Sequence, residues 1–221
     1  MIRRAAIRRL PLPDSALYAW DPESVCLLLS DDAALSAALE KRLAARAWRV
    51  AAHTHAAVAD GGLDALATSL GRVGALISIA PRATASGTKS AGEELLGNAR
   101  EQAWLLSQFR LARRLSPALN AHGAPRTWFV AVTRLDGKLG LAPSPRASSV
   151  VAAGVYGLVK TLRLEWPSVF CRAIDLHPGL DAAFAAERVV EELHDPDQTL
   201  GEVGHCPDGR STVGVMEVAH A

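Results

Sequence analysis

Two adjacent carboxylates, Asp31 and Asp32, lie at the position where the sequence can be tested most directly for chemistry. They follow the apolar run VCLLLS (25–30), which is typical of a buried parallel strand, and they precede a helical pattern. A pyrophosphate at such a turn needs glycines, so that backbone N–H groups can approach it. The turn reads SDDAAL and has no glycine. Each contact between one of these carboxylates and a phosphate would cost roughly 1 to 4 kcal/mol. We therefore expect the carboxylates to cap the helix instead of facing a phosphate.

The end of the second predicted strand carries His53 and His55 on either side of a threonine. An acidic residue that binds a ribose hydroxyl would be expected at this point. The two histidines could supply metal ligands, but no third ligand is near in sequence, and alternation in an extended segment produces such a pair by accident. We therefore predict neither a metal site nor a cofactor-binding residue in this chain.

Composition narrows the classes of protein further. The 221 residues are 49% hydrophobic and carry a net charge of +1, which fits one α/β domain without a nucleic-acid or membrane partner. No apolar run approaches the roughly 18 residues that span a bilayer, and no apolar segment of a secretory signal follows the basic N-terminus. Cys26, Cys171 and Cys206 are odd in number and far apart, which predicts reduced thiols in a cytoplasmic protein.

Short apolar runs alternate with helical patterns along most of the chain. The predicted strands cover 25–30, 48–54, 73–81, 127–135 and 171–177, with a last strand near 201–204 or 211–218. Helices are predicted after Asp32 and at about 63–70, 93–115, 147–166 and 181–194. Because parallel strands need such crossovers, the pattern predicts an α/β fold with an open, doubly wound, mostly parallel sheet.

The pattern also indicates faces and boundaries. Leu35, Leu39 and Leu43 follow at helical spacing on one face of the first helix. The residues predicted to line one face of the 93–115 helix are Leu96, Ala99, Ala103 and Leu106, and Pro117 and Gly123 are predicted to end that region. Residues 1–24 are interpreted as an N-terminal strand (about 5–10) and linker, and residues 25–221 as a single domain.

The segment GLVKTLRLEWPSVFCRAIDL (157–176) is similar to a signature of ketoreductase regions in polyketide synthases and polyunsaturated fatty acid synthases. Weaker similarities are TRLDGKLGL (133–141), the opening strand and helix (25–50) and EVGH near the end. Together they cover about residues 20–215. The resemblance implies a degenerate Rossmann-like fold of the short-chain dehydrogenase type.

In this family a ketoreductase consists of two tandem Rossmann-like halves. The first is structural and has lost the cofactor, whereas the second binds NADPH and reduces β-ketoacyl groups on an acyl carrier protein. The chain resembles the first half. The resemblance therefore implies a non-catalytic structural subdomain, without a cofactor of its own, whose partner is the catalytic half of a multidomain synthase.

Tyr156 and Lys160 have the Tyr-x-x-x-Lys spacing of catalytic residues in short-chain dehydrogenases, where the lysine lowers the pKa of the tyrosine that protonates the carbonyl oxygen. Their register differs from the family, because the catalytic pair would fall near Ser148 and Ala152. The catalytic serine would fall near Thr133–Arg134, so none of the three expected side chains is present. We expect Tyr156 to pack, and Lys160 to reach solvent or a carboxylate such as Glu165.

Three further side chains receive structural interpretations. Trp166, which precedes a proline, is predicted to anchor the end of its helix. Arg172 and Asp175 lie on one predicted strand and could pair with each other.

Two alternatives stay open beside the structural subdomain. The chain could be a free-standing NADPH-dependent reductase in which Tyr156 donates the proton and Lys160 assists. It could also bind the acidic surface of an acyl carrier protein through its arginine pairs, which are Arg3-Arg4, Arg8-Arg9 and Arg113-Arg114.

Overall fold

The computed structural model describes residues 2–14, 18–59, 62–82, 99–121, 126–142 and 150–218. The strands of this part of the chain are β1 (Ile2–Leu10), β2 (Val25–Leu29), β3 (Val50–His53), β4 (Val73–Ile79), β5 (Thr127–Thr133), β6 (Val169–Leu176), β7 (Glu202–Cys206) and β8 (Gly209–Val218). Its helices are α1 (Ala33–Ala44), α2 (Gly62–Leu70), α3 (Ala99–Leu119), α4 (Val150–Glu165) and α5 (Ala182–Leu193), with a 3₁₀ turn at His55–Val58.

The strands form one sheet in the order β1-β8-β7-β6-β5-β4-β2-β3. Six neighbouring strands, from β3 to β7, are parallel, and the antiparallel pair β8 and β1 extends the sheet beyond β7. The predicted α/β class with a mostly parallel, doubly wound sheet is confirmed. The sequence left two segments as candidates for the last strand. Both of them are strands in the structure, namely β7 and β8.

Apolar side chains alternate between two cores because neighbouring residues of a strand point to opposite faces of the sheet. One core packs β-sheet residues against α2, α3 and α4, and the other packs them against α1 and α5. The strands β2, β4, β5 and β6 are buried on both faces, which explains their continuous apolar runs. Leu35, Leu39 and Leu43 are completely buried, as their spacing predicts.

The long helix α3 ends later than predicted, because it continues through Pro117 to Leu119. A proline removes one backbone hydrogen bond and crowds the preceding turn. Here it lies in the last turn, where the helix has only two more residues. Gly123 lies outside the described residues, as do residues 93–98 of the predicted helix.

The buried face of α3 also differs from the prediction. Leu106 is 60% exposed and Ala103 is exposed, whereas Trp104, Leu111 and Leu115 are buried. Leu96 lies outside the described residues. The indole N–H of Trp104 donates to Ser78 Oγ at 3.1 Å, so the large aromatic ring determines which face of α3 meets the sheet.

The end of α4 agrees with the sequence. Trp166 is 8% exposed, and its ring meets the Phe129 ring edge-on at a centroid distance of 5.9 Å. Its backbone N–H still donates to Leu162 O at 2.7 Å, one residue beyond the helix. Trp166 therefore anchors the chain where it turns from α4 into β6.

Aromatic rings hold residues 18–20, which precede β2, against the sheet. Trp20 stacks on Trp48 at a centroid distance of 4.0 Å, and Trp48 lies 4.8 Å from Trp128 of β5. Arg126 places its guanidinium 3.9 Å from the ring centroids of both Tyr18 and Phe170. Tyr18 and Trp20 thus pack against Arg126 and Trp48.

A buried cluster of charges joins β6, β8 and α5. Arg172 donates to Glu192 at 2.6 Å and to Asp195 at 2.7 Å, and Arg210 donates to the same two carboxylates. His205 Nε2 lies 2.8 Å from Glu192 Oε1. The charges of the two guanidinium groups and the two carboxylates cancel, so these four buried groups together carry no net charge. Arg172 and Asp175 do not pair, contrary to the interpretation from sequence, because their side chains point to opposite faces of β6.

The helices of the described residues do not include one that is long and apolar enough to cross a bilayer. All three cysteines are buried and have free thiols. Burial raises the pKa of the Cys171 thiol to about 12 and that of the Cys26 thiol further, so neither thiol ionises near neutral pH.

Replacing Glu192 by glutamine is expected to lower the free energy of unfolding by about 3 kcal/mol, because Arg172 and Arg210 then lose half of their compensating charge in a buried site. Urea denaturation at neutral pH measures this loss. As a control, Arg114→Ala removes an exposed ion pair with Asp64 and should change stability by less than about 1 kcal/mol. Equal effects of the two substitutions would contradict the role assigned to the buried cluster.

The same cluster predicts acid sensitivity. Burial raises the pKa of Glu192, but the hydrogen bonds from His205 and Arg210 and the charge of Arg172 outweigh it and lower the pKa to about 2. A carboxylate whose pKa is lowered in the folded state stabilises the fold above its ordinary pKa of 4.5 and loses that contribution as the pH falls toward 2. The stability difference between wild type and Glu192→Gln should therefore shrink across this range.

Candidate functional site at the carboxyl edge of the sheet

The turn after β2 brings Asp32 to the carboxyl edge of the sheet, where a nucleotide would lie in a doubly wound fold. Asp32 is the N-cap of α1, and its Oδ1 accepts the N–H of Leu35 at 3.1 Å. Its Oδ2 pairs with Arg82 Nε at 3.0 Å and with Arg134 Nη1 at 3.2 Å. Burial raises the pKa of Asp32, but the Leu35 N–H and the two guanidinium charges outweigh it, so the pKa lies below its ordinary value. The predicted capping role of Asp32 is present in the structure.

Asp31 has different partners on the same edge. Its Oδ1 accepts the backbone N–H of His55 at 3.1 Å, and its Oδ2 pairs with Arg100 Nη2 at 2.9 Å. Asp31 therefore connects the start of α3 to the chain after β3, instead of capping α1.

Three arginines surround these two carboxylates, and sequence reasoning missed all of them. Arg134 directly follows β5 and is 5% exposed, while Arg82 and Arg100 are largely exposed. The like-charge argument for Asp31 and Asp32 thus requires a correction, because both carboxylates are paired. The sequence did contain a signal for these ion pairs, because Arg82 and Arg134 come shortly after the ends of two adjacent parallel strands.

The two histidines that the sequence offered as metal ligands lie in different elements. His53 ends β3, and His55 begins the 3₁₀ turn with its Nε2 2.7 Å from Ile79 O. Burial lowers the pKa of His55, although the Ile79 carbonyl and Asp31 act in the opposite direction. Among the residues that the structure describes, no three histidine, cysteine, aspartate or glutamate side chains form a group that could hold a metal.

Tyr156 contacts the end of β5 from α4. Its hydroxyl lies 2.7 Å from Thr133 Oγ1, and Thr133 in turn donates to Asp175 Oδ1 at 3.0 Å. Since Thr133 has a single proton, Tyr156 donates to Thr133 in this chain of hydroxyl groups. Burial and the charge of Asp175 raise the pKa of Tyr156 well above its usual value. The sequence prediction that Tyr156 packs in the interior agrees with its 9% exposure.

The ammonium group of Lys160 pairs with a carboxylate and not with Tyr156. Its Nζ pairs with Glu202 Oε1 of β7 at 2.9 Å, and half of the lysine side chain is exposed. The sequence left solvent or a carboxylate such as Glu165 open for Lys160, and the structure shows a half-exposed lysine paired with Glu202. The tyrosine and the lysine of the Tyr-x-x-x-Lys pattern are therefore in separate interactions.

The positions expected from the family register are only partly described. Ala152 is buried, and Ser148 lies outside the described residues. Thr133 lies where the catalytic serine was expected and does supply a hydroxyl, which the comparison with serine overlooked. That hydroxyl is directed at Asp175 and Tyr156, inside the protein.

Two carboxylates accept backbone N–H groups from residues 135–142, the described part of the loop after β5. Asp175 accepts the N–H groups of Leu135 at 2.8 Å and Leu139 at 2.9 Å, and burial raises its pKa to about 6. Asp136 accepts the N–H of Gly140 at 2.9 Å. Gly137 has a φ of 69° and lies so close to His205 O that a Cβ would be 2.3 Å from it. This loop consequently closes tightly over the ends of β6 and β7.

No family model matches the chain. A segment of 84 residues, 36% of the chain, is 36% identical to a polyunsaturated fatty acid synthase protein of Thraustochytrium sp. and covers 3% of that protein.

Solved structures match nearly the whole chain. An A-type ketoreductase from a modular polyketide synthase superimposes with a TM-score of 0.60 and 21% identity, over 99% of this chain and 43% of its own. A short chain oxidoreductase from Pseudomonas aeruginosa PAO1 gives a TM-score of 0.60 and 16% identity, over 82% of this chain and 94% of its own. The chain thus spans less than half of the ketoreductase. It has the short-chain dehydrogenase-like fold of polyketide synthase ketoreductases, and part of its sequence resembles a polyunsaturated fatty acid synthase.

Proposed function

We propose that the chain is a non-catalytic structural subdomain that supports the catalytic half of a ketoreductase in a polyketide or polyunsaturated fatty acid synthase. The catalytic half would bind NADPH and reduce β-ketoacyl groups on an acyl carrier protein. The observation that carries the proposal is the carboxyl edge of the sheet, where the ion pairs of Asp31 and Asp32 occupy the place of a nucleotide.

NADPH does not fit the residues at this edge. The turn after β2 has no glycine, and its Asp32 side chain accepts the helix N–H that a phosphate would otherwise meet. Arg134 is buried against Asp32, so a phosphate would have to displace an existing ion pair before it could use the guanidinium. These contacts support the proposal that the chain keeps the fold without binding a nucleotide.

The proton chemistry of a reductase is also poorly supported. A catalytic tyrosine must release its proton readily, whereas burial and Asp175 raise the pKa of Tyr156. The lysine that would lower that pKa is paired with Glu202 instead. The alternative of a free-standing reductase that uses Tyr156 and Lys160 is therefore not favoured.

A support function requires a surface for the partner, and the outer side of α3 and α4 offers one. Leu106 and Phe109 of α3 are 60% and 52% exposed, and Leu164 of α4 is 86% exposed. Gly157 of α4 has open space where its Cβ would be, so no described residue covers the helix at this point. Large apolar side chains exposed on one side of a domain commonly mark a protein interface, and we place the catalytic half on this side.

Isothermal titration of the chain with NADPH is expected to show no binding at millimolar cofactor, because the carboxyl edge is occupied by its own ion pairs. The matched variant Tyr156→Phe should behave identically, and neither protein should reduce a ketone. Micromolar affinity for NADPH in the wild type, or a turnover that Tyr156→Phe abolishes, would contradict the structural role.

Charged substitutions on the outer side of α3 and α4 are expected to weaken the complex with the catalytic half of the same synthase at least tenfold. Phe109→Glu and Leu164→Glu place a carboxylate in an apolar contact, which is costly without a partner. The matched control is Phe184→Glu on α5, an exposed aromatic residue on the opposite side of the sheet. Surface plasmon resonance measures the affinities, and equal weakening by all three variants would contradict this placement of the interface.

A further inference from the structure

The strands β1 and β8 form a ribbon that extends beyond the rest of the sheet. They pair along the whole of β1, from Ile2 opposite Val218 to Leu10 opposite Arg210. The neighbouring strand β7 pairs only with Gly209, Arg210 and Ser211 of β8. Beyond Ser211, β8 has β1 as its only strand neighbour in the described chain. Two-stranded ribbons are marginally stable in water unless another element covers them.

One face of this ribbon is apolar. Ala5 lies opposite Val215 and Ile7 lies opposite Val213, so all four side chains share a face. Val215 is 68% exposed, and Ile7 and Val213 are half-buried.

This face continues the side of the sheet that carries α3 and α4. Val213 packs against the edge of their core. Lys160 of α4 pairs with Glu202 of β7, which lies on the same side. The opposite side of the sheet is covered near β7 and β8 by α5, through the pairing of Glu192 with His205 and Arg210.

A groove of about 360 Å³ lies on the apolar side of the ribbon. Ile7, Arg9 and Cys206 line it from the strands, and Lys138 and Leu141 line it from the loop after β5. Leu141 is 45% exposed, so an apolar surface continues from the ribbon onto this loop.

The exposed charges around the groove are unbalanced. Lys138 pairs with Asp208 at 3.1 Å. The exposed guanidinium of Arg9 acts on the same carboxylate only through its electric field and has no ion pair or hydrogen bond of its own within the described residues. One carboxylate therefore faces two cations, and the groove offers a surplus positive charge beside an apolar strip.

We propose that the groove and the apolar ribbon face together receive an amphipathic segment of the catalytic half. Apolar side chains of that segment would pack on Ile7, Val213 and Val215, and a carboxylate would pair with Arg9. This inference rests on the proposed function and extends the interface from α3 and α4 to the far edge of the sheet.

A second copy of the chain fits this edge less well. If two β1 strands paired antiparallel about Ala6, Arg4 would lie opposite Arg8 of the copy, and Arg3 opposite Arg9. Like charges directly opposite each other destabilise a strand pair. The sequence of β1 has no acidic residue to offset them, so an acidic partner is favoured over self-association.

The test measures binding of ribbon variants to the catalytic half of the same synthase by surface plasmon resonance. Val215→Glu and Arg9→Glu should each weaken the complex at least tenfold, and Arg9→Lys should retain most of the affinity. The matched control is Arg8→Glu, because Arg8 is exposed on the other face of the same strand. Thermal unfolding of each variant, which is expected to match that of the wild type, checks that these substitutions leave the fold intact.

The outcomes separate the two proposals. If wild type binds and Val215→Glu binds equally well, or if Arg8→Glu weakens the complex as much as Arg9→Glu, the ribbon inference is wrong while the structural role stands. If wild type does not bind the catalytic half at all, the proposed function fails and the ribbon inference fails with it.

Discussion

The carboxyl edge of the sheet depends on the interactions of the Asp32 carboxylate. This carboxylate accepts a backbone N–H at the start of α1 and pairs with arginines that follow β4 and β5. Those are the groups that an anionic ligand would use in a doubly wound fold, namely the free N–H groups of a helix and nearby cations. A carboxylate of the chain itself thus binds this N–H group and these cations, and it joins the ends of β2, β4 and β5.

The sequence was sufficient for the fold class. Buried parallel strands need continuous apolar runs, and helices between them need one apolar face, so both features can be seen without coordinates. The exposed side of α3 was harder to predict. Ala103 and Leu106 form an apolar pattern as regular as that of Trp104 and Leu111, and only the fit of the indole against Ser78 decides between the two faces. Periodicity identifies a helix but does not say which of two apolar faces is covered.

The candidate site was predictable only in part, because its partners are distant in sequence. Three strands, β3, β4 and β5, separate Asp32 from Arg134 in the chain. The two residues meet because of the order of the strands in the sheet, which hydrophobic patterns do not give. The hydroxyl of Thr133 was overlooked for another reason. The family comparison required a serine, whereas the structure requires only a hydroxyl at the strand end that can link Tyr156 to Asp175.

Arg210 lies in β8 where the ribbon leaves the sheet, and its guanidinium is held by two carboxylates from α5 and the turn after it. A strand fastened at its root by several charge-assisted bonds has a defined direction before any partner arrives. Much of the orientational entropy that association normally costs has then already been lost during folding. The ionic cluster in the interior therefore also connects the start of the ribbon to α5 and to the turn after it, at the point where the ribbon leaves the sheet.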